Sequence, residues 1–261
     1  MSRVHPSAVV DPSAQLDASV EVGPFSVVGP EVRLGADVVL KPHAYVTGRT
    51  EVGAGTIIYS FASVGEIPQD QKYRGEATRL VIGARNQIRE HVTLSPGTAE
   101  GGGVTTIGDD CLLMIGCHVG HDCQIGSHVI ISNGCALAGH VLVEDYAYLA
   151  GLAGVHQFVR IGESAMLGGM SATVQDVAPY TTAIGNYAKL MGLNRINLER
   201  RGFSPERISV IEQAFRIIFR SGKLPREAFA EVRSTLPESP EAEHLVAFLE
   251  KSERGFCRML R

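Results

Sequence analysis

The feature of this sequence that most constrains its fold is a six-residue repeat of aliphatic side chains. Steps of six from Val4 meet valine, leucine or isoleucine without a break as far as Val64. The series resumes at Ile82, Ile88 and Leu94 and runs again from residue 107 to residue 167, giving 25 hexads. A six-residue period is typical of a parallel β-helix, in which each hexad supplies one short strand and one corner. Three hexads then form one triangular coil, and successive coils stack at about 4.8 Å.

Two other positions of the hexad are also restricted. Glycine follows eleven of the aliphatic residues directly, and we expect it to adopt positive φ at the corners. The fourth position after the aliphatic residue holds small side chains, including Cys111, Cys117, Cys123 and Cys135. We therefore expect these cysteines to fill the core rather than to bind metal or form disulfides.

Composition and charge agree with a thin, repetitive core and narrow the location and partners. The 261 residues include 29 glycines and no tryptophan. The sequence lacks an apolar stretch of the roughly 20 residues that span a membrane and begins without a signal-peptide pattern, which predicts a cytoplasmic protein without stable membrane insertion. Residues 187–261 carry a net charge of +4 and residues 1–186 one of −8. The basic part suggests an acidic partner, and we do not expect nucleic acid to be that partner.

The repeat is interrupted twice and then ends. Excursions are predicted near 66–80 and 96–106, and loops that leave a rigid solenoid often carry binding groups. After Pro179 the spacing becomes helical, with helix starts at Ser204-Pro205, at Pro225 and at Ser239-Pro240. We therefore predict a β-helix over 1–186 and a small helical domain over 187–261.

Three histidines fall on one edge of consecutive coils if each coil has 18 residues. They are His121, His140 and His156. Such a column forms either a catalytic and binding site or part of a metal site, and the spacing alone leaves both open.

Several longer strings carry a resemblance that covers nearly the whole chain. They include FASVGEIPQDQKYRGEATRLVIG, HVGHDC, LAGHV, VHQF, QDVAPY and RRGFS. Together they resemble the acyl-[acyl-carrier-protein]:UDP-N-acetylglucosamine O-acyltransferases, which open lipid A synthesis in Gram-negative bacteria. The resemblance implies a left-handed β-helix and a homotrimer with sites between subunits. It implies acyl carrier protein bearing a 3-hydroxyacyl group and UDP-N-acetylglucosamine as substrates, and neither a metal nor an organic cofactor.

The resemblance also assigns roles to individual residues. His121 would be the general base, Asp122 would orient its ring, and the backbone N–H of Gly139 would stabilise the oxyanion. Gly169 would set the acyl length, and its lack of a side chain predicts a longer chain. The remaining substrate-binding residues would be Gln69, Asp70, Lys72, His118, His140, His156, Gln157, Asn194, Arg200 and Arg201.

One departure bears on the acceptor. Where the family commonly reads TIHRGT, this chain has Ser95 and Pro96 in place of the His-Arg pair. Transfer to a 3-amino sugar, giving an amide, therefore stays open beside ester formation. Three other readings also remain: an N-acyltransferase of the same fold, a zinc-dependent γ-type carbonic anhydrase and a purely structural or binding β-helix.

Overall fold

In a computed structural model, the described residues, 3–260, form a left-handed parallel β-helix followed by a group of short helices. Each of the 25 aliphatic positions is the last residue of one of the strands β1 to β25. From Val22 onward these side chains are buried inside the prism. The predicted fold class is thus confirmed.

The strands form three parallel sheets, one along each face of the prism. Sheet A contains β1 Arg3–Val4, β4 Glu21–Val22, β7 Val39–Leu40, β10 Ile57–Ile58, β13 Gln87–Ile88, β16 Leu112–Leu113, β19 Ile130–Ile131, β22 Tyr148–Leu149, β25 Met166–Leu167, β27 Thr181–Ile184 and β28 Lys189–Leu193. Sheet B contains β2 Val9–Val10, β5 Val27–Val28, β8 Tyr45–Val46, β11 Ser63–Val64, β14 Thr93–Leu94, β17 His118–Val119, β20 Ala136–Leu137, β23 Gly154–Val155 and β26 Ala172–Thr173. Sheet C contains β3 Gln15–Leu16, β6 Arg33–Leu34, β9 Arg49–Val52, β12 Arg79–Ile82, β15 Val104–Ile107, β18 Gln124–Ile125, β21 Leu142–Val143 and β24 Arg160–Ile161.

Both excursions leave the prism from the same edge, where the chain passes from sheet B to sheet C; we call this the B–C edge. The first connects β11 to β12 and the second connects β14 to β15. After them the register resumes, because Val64 pairs with Leu94 and Ile82 pairs with Ile107. The two loops are therefore neighbours in space.

The prediction that the glycines after the aliphatic residues adopt positive φ is wrong. Of the eleven glycines that follow an aliphatic residue, only Gly65 has positive φ. The left-handed position is the third after the aliphatic residue, and side chains such as Asp122 (φ 60°) and His140 (φ 62°) occupy it. The glycines are needed because coils approach closely: a Cβ on Gly53 would lie 2.4 Å from the carbonyl carbon of Gly83.

The cysteines are core residues, as predicted. Cys111, Cys117, Cys123 and Cys135 are buried and free of disulfides. Burial raises the pKa of Cys111 to about 11 and that of each of the other three to about 12. They are thiols at neutral pH.

The C-terminal part contains four helices: α1 Arg195–Arg200, α2 Pro205–Arg220, α3 Pro225–Thr235 and α4 Pro240–Glu250. The last three are the helices predicted from sequence, and α1 was not predicted. Strand β28 pairs antiparallel with β27, so sheet A continues beyond the division proposed at residue 186. Phe215 of α2 packs into the core of the prism, so the helical part covers its C-terminal end. No helix among residues 3–260 is long and apolar enough to cross a membrane.

Candidate active site

An open pocket of about 560 Å³ lies on sheet B beside the B–C edge. The outward positions of β17, β20, β23 and β26 align across the coils and form its floor. From one coil to the next they hold His118, Ala136, Gly154 and Ala172. A Cβ on Gly154 would meet no atom within 4 Å, so this part of the floor is open.

A histidine-carboxylate pair stands on the wall of this pocket. His121 Nδ1 lies 2.8 Å from Asp122 Oδ2, and the side chain of Asp122 is completely buried. Because the carboxylate accepts hydrogen bonds and does not donate them, the ring carries its proton on Nδ1. Nε2 of His121 is therefore left with a free lone pair.

The second excursion supplies the remaining partners of the Asp122 carboxylate. Thr98 donates from its backbone N–H to Oδ1 (2.8 Å) and from its hydroxyl to Oδ2 (2.6 Å). The backbone N–H of Asp122 donates to the hydroxyl of Thr105 (2.8 Å). The orientation of His121 thus depends on a residue that lies 24 positions away from Asp122 along the chain.

Gly139 lies directly against the His121 ring in the next coil. A Cβ at Gly139 would be 2.4 Å from Cε1 and 2.5 Å from Nε2 of the imidazole. Only glycine therefore leaves room for the ring where it stands. Within residues 3–260 the N–H of Gly139 donates no hydrogen bond, so it is available to a ligand in the pocket.

Two further histidines surround the pair and favour the neutral state. Burial, and then the proximity of His121, lower the pKa of His118, whose Nδ1 lies 2.8 Å from the Thr93 hydroxyl. The pKa of His140 is also lowered, because burial outweighs the opposing charge of Asp122. The His140 ring lies edge-on to His121 at 5.0 Å and stacks on Phe158 at 4.4 Å.

The structure brings most of the predicted site residues together. His118, His121, Gly139, His156, Gln157 and, from the first excursion, Gln69 line the pocket. His140 instead lines a smaller cavity of about 300 Å³ on the sheet C side of the edge, together with Asp122. The predicted histidine column is thus split between the two sides of one edge.

Asp70 and Lys72 lie on the first excursion outside the pocket lining. Asp70 accepts a hydrogen bond from the backbone N–H of Lys72 (2.9 Å). The Lys72 ammonium is 2.9 Å from the carboxylate of Glu100, which raises the pKa of Lys72 and joins the two excursions.

Four predicted residues are remote from this pocket within one chain. Gly169 lies outside the pocket lining, at the corner between β25 and β26 on the edge between sheets A and B, and Arg200 is in the last turn of α1. Asn194 caps α1 and donates to the carbonyl oxygen of Ser164 (2.9 Å). Arg201 binds Glu163 (2.6 Å) and stacks on the ring of Tyr146.

Sequence reasoning missed the threonines that hold the site. Thr93, Thr98 and Thr105 all bond to its histidines or to Asp122. The sequence could have indicated two of them, because they lie in or next to the Gly-rich second excursion. Ser95, the departure from the family pattern, also lines the pocket.

One cluster among the described residues has its potential metal ligands close together. The ligand atoms of His121, Asp122 and His140 all lie within 4.8 Å of one another. Both oxygens of Asp122 already accept hydrogen bonds from Thr98 or His121, which is the arrangement of an orienting carboxylate.

Comparison with known proteins gives consistent matches along the whole chain. Residues 176–257 match the model described as UDP N-acetylglucosamine O-acyltransferase, domain 2, and residues 104–139 match the bacterial transferase hexapeptide model. The acyl-[acyl-carrier-protein]–UDP-N-acetylglucosamine O-acyltransferase of Myxococcus xanthus is 55% identical over 99% of this chain and 100% of its own length. The enzyme of the same name from Paraburkholderia xenovorans is 49% identical with the same coverage.

Solved structures agree. The crystal structure of the UDP-N-acetylglucosamine O-acyltransferase of Moraxella catarrhalis has a TM-score of 0.95 at 41% identity, covering 98% of this chain and 99% of that one. The corresponding Francisella novicida structure has a TM-score of 0.95 at 37% identity, covering 98% and 94%. The chain therefore belongs to the family of acyl-[acyl-carrier-protein]–UDP-N-acetylglucosamine O-acyltransferases and is an acyltransferase.

Proposed function

We propose that this enzyme transfers a (3R)-3-hydroxyacyl group from acyl carrier protein to the 3-position of UDP-N-acetylglucosamine, the first step of lipid A biosynthesis. The observation that carries the proposal is the free Nε2 of His121 beside Gly139, in a chain whose full-length relatives bear the name of this activity. The predicted cytoplasmic location belongs to the same proposal.

His121 acts as the general base. Its Nε2 takes the proton from the 3-hydroxyl of the sugar while the oxygen attacks the thioester carbonyl carbon. The tetrahedral intermediate expels the thiolate of the carrier, which receives the proton from His121. No covalent intermediate with the enzyme is formed, and the donor needs no cofactor because it arrives as a thioester.

Asp122 and Gly139 complete the chemistry. Asp122 holds the tautomer with the proton on Nδ1 and stabilises the imidazolium that forms. The unpaired N–H of Gly139 donates to the oxyanion of the intermediate. The lowered pKa values of His118 and His140 favour neutral rings. Neutral neighbours do not repel the positive charge that His121 acquires when it takes the proton.

The acyl and sugar groups occupy the groove on sheet B. Gln69, Asp70 and Lys72 of the first excursion bind the nucleotide sugar and the acyl chain, and His156 and Gln157 line the groove beside them. Gly169 leaves the far end of the groove open for a longer chain. A series of 3-hydroxyacyl carrier proteins should therefore be used best at the longer lengths; preference for the shortest would contradict this assignment.

A homotrimer completes the site. Phe25, Phe61, Leu152 and Met170 each expose more than half of their surface along the edge between sheets A and B, as expected of residues that pack against another subunit. A neighbouring subunit would bring Asn194, Arg200 and Arg201 toward the UDP group, which lies out of their reach within one chain.

Ser95 supports a second acceptor. It occupies the pocket where the family commonly has histidine, and it is 6% exposed. A smaller, neutral side chain changes the hydrogen bonds offered to the sugar, so a 3-amino sugar giving an amide is the alternative acceptor.

The test uses wild-type and His121→Ala protein with UDP-N-acetylglucosamine and 3-hydroxyacyl carrier protein, in the presence of EDTA. Mass spectrometry follows the acylated sugar. We expect product from wild type and a loss of about 10²-fold or more in His121→Ala. The 3-amino sugar is run in parallel under the same conditions.

Each outcome separates the alternatives. Turnover of only the 3-amino sugar would replace the ester by the amide product. Wild-type activity that requires added zinc would favour a metal role for His121, Asp122 and His140, as in the carbonic anhydrase reading. Full activity of His121→Ala would remove His121 as the base.

A further inference from the structure

The second excursion folds back over the Asp122 carboxylate and encloses it. Thr98 contacts both carboxylate oxygens, at 2.8 Å from its backbone nitrogen and 2.6 Å from its hydroxyl. A Cβ on Gly101 would lie 2.0 Å from the carboxyl carbon, so glycine is required where the loop crosses it. Asp122 is thereby shielded from solvent by the loop.

The direction of the Thr98 hydroxyl bond is determined by its neighbours. The backbone N–H of Gly101 donates to Thr98 Oγ1 at 3.2 Å. A hydroxyl has one proton, and a backbone N–H cannot accept it, so the proton of Thr98 points to Asp122. Oδ2 of Asp122 therefore receives two hydrogen bonds, one from Thr98 and one from His121.

The loop is held in this position by backbone bonds to the prism. Gly97 N–H donates to the carbonyl of Arg79 (3.2 Å), and Arg79 N–H donates to the carbonyl of Gly103 (2.9 Å). Gly103 N–H donates to the carbonyl of Thr98 (2.8 Å). Thr98 is thus placed by the bonds between this loop and strand β12.

We propose that Thr98 is a positioning residue for the acyl transfer and acts on His121 through Asp122. It fixes the carboxylate plane, so that one oxygen meets His121 Nδ1, and it takes part of the carboxylate's negative charge. Loss of the hydroxyl leaves more of that charge to the imidazolium, so His121 retains its proton to higher pH. This role rests on the proposed general-base function of His121.

The experiment compares the pH dependence of kcat/KM for wild type, Thr98→Val, Thr98→Ser and the control Thr106→Val. Valine has the shape of threonine and keeps the backbone N–H but lacks the hydroxyl. We expect Thr98→Val to lower kcat/KM about tenfold at neutral pH and to move the acidic limb of its profile upward by about half a pH unit. Thr98→Ser should return both values to wild type, and Thr106→Val, in the same returning strand, should leave both unchanged.

Several results would overturn the proposal. The proposal fails if the acidic limb of the Thr98→Val profile lies at the same pH as in wild type, even if activity is lower. A smaller folded fraction lowers kcat/KM equally at every pH and does not move the limb. A Thr98→Ser enzyme no better than Thr98→Val would also overturn the proposal. If Thr98→Val does not fold, Thr98→Ala, which also removes the hydroxyl and keeps the backbone N–H, should produce the same shift, and an unshifted limb there would exclude the role.

The His121→Ala variant, assayed in parallel, separates the two proposals. A wild-type activity that survives in His121→Ala would mean that the general-base function has failed. Loss in His121→Ala combined with an unshifted Thr98→Val profile would reject only the role of Thr98.

Discussion

The imidazole of His121 at the B–C edge, which we propose as the general base, is oriented by residues from different parts of the chain. Asp122 is adjacent in sequence, Thr98 comes from the preceding excursion and Gly139 from the next coil. Asp122 fixes the tautomer of the His121 ring, Thr98 fixes its plane through Asp122, and Gly139 sets its distance from the next coil. A change at any of them should affect kcat more than the stability of the fold.

Gly139→Ala tests the distance constraint. The added Cβ would overlap the His121 ring, so the ring must move relative to the backbone N–H that we propose as the oxyanion donor. We expect kcat/KM to fall about 10²-fold or more, with a small change in thermal unfolding. Gly151→Ala is the matched control, because its Cβ would meet only a carbonyl oxygen at 3.5 Å. Equal activity of the two variants would contradict the assignment.

The left-handed corners are the elements that present side chains along the prism edges. At such φ values a residue other than glycine costs about 1 kcal/mol or more. Stacking between consecutive coils offsets part of this cost: ring centroids of Phe25, His43, Phe61 and His91 follow one another at 5.1 to 5.2 Å. The coil spacing brings rings to stacking distance, and the same geometry stacks His140 on Phe158.

Asn86 tests how the coils are joined at the corner between β12 and β13. Its buried amide donates to the carbonyls of Gly83 and Gly108 (both 2.9 Å) and accepts from Cys111 N–H (2.8 Å). Asn86→Ala would leave buried backbone groups unpaired, so we expect a loss of about 3 kcal/mol in the free energy of unfolding, measured by denaturant titration.

The exposed Asn133, at another corner, supplies the control for this measurement. Asn133→Ala should change the free energy of unfolding by no more than about 0.5 kcal/mol. A similarly small effect of Asn86→Ala would show that these bonds do not stabilise the prism.

At the scale of the whole molecule, one half-buried histidine joins the helical part to the prism. His244 of α4 lies 3.1 Å from Glu144 and 2.8 Å from the hydroxyl of Tyr180, with Glu163 at 3.5 Å. Burial disfavours its charge, and Arg160 does so weakly, but the hydrogen bond and charge of Glu144 and the charge of Glu163 raise the pKa of His244 overall. The contact is therefore strongest when His244 is protonated.

This contact predicts a pH-dependent stability. A group whose pKa is raised by folding stabilises fully below its unfolded pKa, about 6.5 for histidine, and loses that contribution as pH rises through the folded value. The difference in unfolding temperature between wild type and His244→Gln should thus be larger at about pH 6 than at about pH 9. A difference that does not change with pH would exclude a protonated His244 as the stabilising species.

The charge distribution of the whole chain predicts how the donor binds. Residues 187–261 carry a net charge of +4, and Arg216, Arg220 and Arg226 are exposed there. Steering of an acidic carrier protein by these charges predicts that kcat/KM falls with added salt. An acyl-pantetheine donor, which lacks the carrier protein, is the control and should show little salt dependence. Equal salt effects on both donors would contradict docking through this surface.

The sequence by itself determined the prism, the positions of both excursions and the placement of His121 beside Asp122. The reason is that the pattern is local: each six-residue hexad by itself specifies one inward side chain and one corner. Local spacing also predicted helices α2, α3 and α4. Family resemblance added the roles of the residues, which no spacing could supply.

Only the tertiary structure decided which groups complete the site. Thr98 reaches Asp122 because of the path of an irregular loop, and Gly139 is required because of a ring in another coil; neither relation repeats along the sequence. The corner glycines were misjudged for the same reason, since their constraint comes from the next coil and not from their own φ. The positions of Asn194 and Arg201 were also decided by tertiary structure, because each bonds to a residue of the prism that the repeat does not pair with it: Asn194 to Ser164 and Arg201 to Glu163.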